Sequence, residues 1–278
     1  VGISGHLISR LREAKTTNNV DIVFLGSSMT YRGLDTRVFS SSGFKTFNLG
    51  SSAQTPIQTR VFIEKYLDRL NPKLVIYEVN PLLFSSDGVE SSVDLISNDN
   101  ITVETLKMAL EVNSPTTYNT LVYSAFKQTM KPLSDFREPL VKKKDKYISG
   151  GYVEREIAFN KSKRHNSQKW NLKERQLKCF AENLKLLEEK KIKVILLFPP
   201  ITKNLYESYV NHSEFDSTIL KTGKPYLNFN EISQLNDSLD FYDEYHLNQN
   251  GVRKFNMHLL KILGKQFERL VKSPRQKV

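Results

Sequence analysis

Val20-Asp21-Ile22-Val23-Phe24-Leu25-Gly26-Ser27-Ser28 decides the fold. A short β-branched and apolar run that stops at a glycine reads as a buried parallel strand, because only a strand covered on both faces is apolar at successive positions. Lys45 to Leu49 and Lys73 to Val79 repeat the pattern, each followed by turn-forming residues. Between them Ile57, Val61, Phe62, Tyr66, Leu67 and Leu70 recur at helical spacing, and Asn71-Pro72 stops the helix begun at Thr55. Strand, helix, strand is a βαβ unit. A fourth strand is expected at Lys193 to Phe198 after a helix over Leu172 to Lys190, a short fifth at Tyr226 to Phe229, and a last helix from about Asn248 to Val271. The expected fold class is α/β: a three-layer α/β/α sandwich on a mostly parallel central sheet, flavodoxin-like in its layering.

Residues 101–170 break this rhythm. Helices are expected over Val103 to Val112 and Pro115 to Met130, leading into Lys142-Lys143-Lys144 and a polar stretch through Gly150-Gly151. This reads as a mainly helical, basic insertion within a single domain spanning residues 1–278. Ile3, Leu7, Ile8 and Leu11 form an N-terminal helical stripe expected to dock on the core. The first residue is Val rather than Met, which leaves room for a targeting or anchoring segment ahead of it.

The 278 residues carry a formal charge of +11, which raises nucleic acid as a partner. The excess is local. Residues 1–130 hold 12 basic and 12 acidic side chains and residues 176–251 hold 8 and 11, whereas 131–175 hold 13 and 6 and 252–278 hold 8 and 1. The predicted sheet is therefore not basic, no nucleic-acid motif accompanies the charge, and nucleic acid is not an expected partner. One cysteine, Cys179, excludes an intramolecular disulfide, no Cys/His cluster has zinc spacing, and no cofactor is expected. No apolar run approaches the roughly 20 residues needed to span a bilayer.

Ligand sites of open parallel sheets lie beyond the carboxyl ends of the strands. There the chain places Ser27-Ser28 after the first strand, Gly50 after the second and Asn80 after the third, with Asp243-Glu244-Tyr245-His246 just before the last helix. A serine at a sharp turn can expose a hydroxyl nucleophile, and an Asp three residues ahead of a His can bind one ring nitrogen and leave the other free as a base. Each piece alone has an ordinary explanation: Ser, Asn and Asp also cap helices, and Gly and Asn-Pro also make turns.

Taken in order, the four blocks resemble the SGNH (GDSL-like) hydrolase superfamily. The family's Ser maps to Ser28, its Gly to Gly50, its Asn to Asn80 and its Asp-x-x-His to Asp243 and His246, with Leu247, Asn248 and Gly251 extending the last match. Ser27 stands where the family's first block has Asp, Met29 where it has Leu, and Glu78 and Pro81 where its third often has Gly and Asp. Branches that modify cell-envelope polysaccharides are similarly relaxed. The resemblance implies a serine esterase or O-acyltransferase for short acyl esters on carbohydrate. Ser28, His246 and Asp243 would form the catalytic triad, and the Ser28 and Gly50 N–H groups and the Asn80 amide the oxyanion hole. Glu78 is a large acid beside the expected pocket. The implied location is the extracytoplasmic bacterial envelope, with an N-terminal anchor ahead of Val1 left open. A catalytically silent glycan- or protein-binding domain is the alternative.

Of the other histidines, His6, His165, His212 and His258 lack partners at motif spacing and are expected on surfaces or helix faces. Trp170, Tyr147 and Tyr152 lie near the basic insertion, where they would serve as a sugar-stacking surface or as apolar anchors of a solvated face. The insertion and tail are expected to dock on an anionic envelope polymer or membrane surface through residues such as Lys142, Lys143 and Lys144.

Overall fold

The computed structural model describes residues 5–161 and 163–271, so Ile3 of the N-terminal stripe and the last part of the basic tail lie outside the described residues. Among the described residues eight strands follow in order: β1 (Ile22–Leu25), β2 (Thr46–Asn48), β3 (Leu74–Glu78), β4 (Val141–Lys142), β5 (Asp145–Ile148), β6 (Tyr152–Arg155), β7 (Lys193–Phe198) and β8 (Tyr226–Asn228). Five form one sheet in the order β2-β1-β3-β7-β8, with every neighbouring pair parallel.

Both faces of this sheet are covered, which is why its strands lack alternation. Val23, Leu25, Val75, Tyr77, Leu196 and Phe198 face one core, shared with helices Pro56–Leu70 and Glu174–Glu189. Ile22, Phe24, Leu74, Ile76, Ile195 and Leu197 face the other, closed by Phe39 and by Val252, Phe255 and Leu259 of helix Gln249–Val271. The three-layer α/β/α sandwich expected from the sequence is the observed architecture.

The insertion is more than a helical excursion. Helices Val103–Val112 and Pro115–Met130 form as expected, but the polar stretch after them folds into an antiparallel sheet in the order β4-β5-β6. This small sheet is sewn to the main one. Asn48 N–H donates to the Gly150 carbonyl at 2.7 Å, and Arg32 pairs with Asp145 through two hydrogen bonds of 2.9 and 2.8 Å. Tyr152 and Tyr147 are buried, and Trp170 stacks on Tyr209 with centroids 4.0 Å apart and is 4% exposed, so none of the three offers a sugar-stacking surface. Lys142 is drawn onto the buried carboxylate of Glu138, leaving Lys143 and Lys144 exposed. His6, expected on a surface, is 0% exposed beside Tyr147.

Arg10, on the N-terminal helix Leu7–Ala14, is fully buried and among the described residues has no ion-pairing carboxylate. Its guanidinium donates to three backbone carbonyls, Gly151 at 2.9 Å, Gly50 at 2.8 Å and Gly5 at 2.9 Å, and lies 4.4 Å from the centre of the Tyr31 ring. The planar fork satisfies three acceptors at once, which an ammonium group cannot do in the same geometry. Arg10→Met is expected to lower unfolding free energy by about 3 kcal/mol in urea titrations, since it leaves three carbonyls without partners, and Arg10→Lys is expected to recover less than half of that.

Candidate active site

Ser28 begins the short helix Ser28–Gly33 and is partly exposed. Ser27 caps that helix: its Oγ accepts from Met29 N–H at 3.2 Å. The Ser27 hydroxyl in turn donates to Glu78 Oε1 at 2.7 Å, while Ser27 N–H and Thr30 Oγ1 both donate to Glu78 Oε2 at 2.6 Å. Register explains the meeting. Leu25 pairs with Tyr77 across β1 and β3, so the next residues, Gly26 and Glu78, leave the sheet side by side. The approach is so close that a Cβ on Gly26 would lie 2.4 Å from Glu78 Cβ.

Glu78 is 1% exposed and points into the loop, so it does not obstruct a substrate. Burial pushes its carboxyl above the usual range, while the Thr30 and Ser27 hydroxyls, the Ser27 N–H and the charge of His246 pull it down. The departures at Ser27 and Glu78 are thus two halves of one contact. Both stand in the sequence, but only the strand register reveals that they touch.

The blocks at residues 28 and 243–246, 218 positions apart in sequence, converge. Ser28 Oγ lies 2.8 Å from His246 Nε2, and His246 Nδ1 lies 2.9 Å from each Asp243 carboxylate oxygen. Asp243 Oδ1 also accepts the N–H groups of Tyr245 at 2.9 Å and His246 at 2.8 Å, fixing the carboxylate against its own loop. Burial alone would raise the Asp243 carboxyl; the His246 ring and these two N–H donors outweigh it and hold it below the usual range. Helix capping falls instead to Asn248, whose Oδ1 accepts from Asn250 N–H at 3.0 Å and Gly251 N–H at 3.2 Å. That leaves Asp243 to His246.

Asn80 is buried, caps the helix Pro81–Ser85, and accepts from Leu82 N–H at 3.1 Å through Oδ1. The cap orients the amide: with Oδ1 committed to Leu82, Nδ2 faces Met29, the residue after Ser28, and sits 2.8 Å from its sulfur. The helix-capping turn therefore fixes the direction of the Asn80 amide. Gly50 is differently engaged. Its N–H donates to Asn48 Oδ1 at 3.0 Å, while Asn48 Nδ2 donates to the Thr30 carbonyl at 2.9 Å. Asn48 thus braces the β1 and β2 loops together, and Gly50 N–H reaches an oxyanion only by sharing or exchanging that bond.

Two neighbours had no local signal in the sequence. Tyr242 stacks on His246, with centroids 5.3 Å apart and planes 6° from parallel. Arg155, from β6 of the insertion, lies 4.8 Å from the centre of the Tyr242 ring and 3.3 Å from Asp145. His165 approaches Glu244 at 2.8 Å. No group of His, Cys, Asp and Glu among the described residues has the arrangement of a metal site.

No protein-family model and no curated protein matches the chain. Among solved structures it is similar to a GDSL-like lipase from Bacteroides thetaiotaomicron, 13% identical with a TM-score of 0.49, over 94% of this chain and 98% of that one. It is also similar to a family 3 carbohydrate esterase from Clostridium thermocellum, 12% identical with a TM-score of 0.39, over 91% and 99% of the two chains. A third likeness is to a lipase/acylhydrolase from Enterococcus faecalis, 12% identical with a TM-score of 0.38, over 88% and 96%.

Glu78→Gln is expected to destabilise the chain by about 2 kcal/mol in urea titrations, because an amide keeps one acceptor and turns a donor toward groups that already donate. Asp243 has a depressed folded-state pKa, so its stabilisation is complete above the unfolded value of about 4 and is lost as pH falls through the folded value. Asp243→Asn is therefore expected to flatten the loss of stability in this acid range, followed by thermal unfolding as a function of pH.

Proposed function

We propose that the chain is a serine ester hydrolase or O-acyltransferase acting on short acyl esters, most simply O-acetyl groups, carried by a carbohydrate of the extracytoplasmic bacterial envelope. One observation carries the enzymatic reading: the unbroken relay from Ser28 Oγ through His246 to Asp243, at 2.8 and 2.9 Å. The carbohydrate acceptor and the location rest on the sequence resemblance to polysaccharide-modifying branches. An anionic polymer of that envelope is the proposed partner of the exposed Lys143 and Lys144.

In this reading Ser28 Oγ attacks the ester carbonyl as its proton passes to His246 Nε2. The oxyanion of the tetrahedral intermediate is met by the Ser28 N–H, which has no intrahelical acceptor at the first position of its helix, and by the Asn80 amide. Asp243 holds the ring by Nδ1 and stabilises the imidazolium. The imidazolium then protonates the departing sugar oxygen, leaving an acyl group on Ser28. Water or a second sugar hydroxyl, deprotonated by His246, releases that acyl group as acid or as a new ester. Tyr242 limits ring rotation throughout.

The second reading, a silent domain that binds glycan or protein, draws on one observation, the engagement of Gly50 N–H by Asn48. A fluorophosphonate probe and an activated acetyl ester separate the two. Under the enzymatic reading the probe labels Ser28, Ser28→Ala abolishes labelling, and Ser28→Ala and Asp243→Asn each lower kcat by about 10,000-fold or more. Absence of labelling and of ester turnover in the wild-type chain would favour the silent domain.

A further inference from the structure

Helix Pro115–Met130 has its polarity reversed for a helix on a core. Its two buried residues are Thr117 and Ser124. Val122, Phe126 and Met130, each one turn from the next, are 71%, 67% and 73% exposed, and Tyr123 beside them is 59% exposed. An amphipathic helix in water turns its apolar stripe inward, and a contiguous outward stripe marks a surface that meets another apolar phase. Scattered exposure is a poor account of it, since the inward face holds Thr117 and Ser124 with Leu121 partly buried against the core, while the longer apolar run faces out.

Charge identifies that phase. Residues 112–134 contain no Asp or Glu, while Lys127 and Lys131 lie on the flank of the stripe and are exposed. They border an apolar groove of about 340 Å³ whose floor includes Ile8 and Leu133. We propose that this face docks on an anionic lipid surface, with the helix in the plane of the headgroups, the stripe in the acyl boundary and the two lysines on lipid phosphates. A second copy fits the charge less well: stripe against stripe would bring the lysines of both copies together with no acid between residues 112 and 134 to offset them. The helix lies on the surface rather than crossing it, for no helix among the described residues is long and apolar enough to span a bilayer.

The test is co-sedimentation of the full chain with vesicles of phosphatidylglycerol mixed with phosphatidylcholine, and of phosphatidylcholine alone. Binding is expected to the first and at least roughly tenfold less to the second. Val122→Ser/Phe126→Ser/Met130→Ser is expected to lose at least about tenfold in vesicle affinity with unchanged thermal unfolding. Lys127→Gln/Lys131→Gln is expected to lose several-fold and to become less sensitive to salt. Because the readout is sedimentation, the outcome is independent of whether the chain hydrolyses esters. The proposal is overturned if the triple variant binds as the wild type does, or if binding vanishes on removing residues 272–278 while the stripe is intact. It is equally overturned if the wild type ignores vesicles and the triple variant instead dissociates a dimer.

Discussion

The loop that bears Ser28 depends on one buried carboxylate. Glu78 leaves the sheet beside Gly26 and gathers three donors from Ser27 and Thr30, so the turn after β1 takes its shape from the strand next to it. A carboxyl group this deep is costly unless its lone pairs are filled, and here the compensation comes from hydroxyls and an N–H rather than from a basic side chain. The arrangement places a second acid in the electrostatic surroundings of His246, in addition to Asp243. A positive charge on the His246 ring would lie within the reach of both.

The main sheet was legible because a parallel strand announces itself by continuous apolarity. β7 matches its expected span, Lys193 to Phe198, and β1, β2, β3 and β8 lose only one or two residues at their ends. The convergence of Ser28, Asp243 and His246 could be anticipated because Ser, Gly, Asn and Asp at strand ends make the turns that bring such loops together. The small sheet β4-β5-β6 was not. Its strands are two to four residues long, carry Lys, Asp, Glu and Arg, and bury the consecutive residues Tyr152 and Val153 on opposite faces, so period-two patterning never develops.

Of the two roles open to the aromatics near the insertion, burial leaves that of apolar anchors, and the choice depends on contacts distant in sequence. Trp170 is flanked by polar residues, and its burial comes from Tyr209 and Phe215, about 40 positions away. Arg155 and Tyr242 join the site by the same kind of distant contact. Through them the insertion reaches His246: Arg32 and Arg155 share Asp145, Arg155 covers Tyr242, and Tyr242 covers His246. A segment that looks peripheral in sequence supplies part of the wall of the site.

The three carbonyls on Arg10 tie residues 5, 50 and 151 to a single point. None of these segments can swing away without uncovering the same guanidinium, so the start of the chain, the β2 loop and the small sheet open together or not at all. Such a knot has a kinetic side as well. It closes loops of about 45 and 100 residues, and closures of that length come late in folding. The loop bearing Gly50 then acquires its final form only after the chain has been made well past residue 151, and the amides around the knot would exchange with solvent as one cooperative unit.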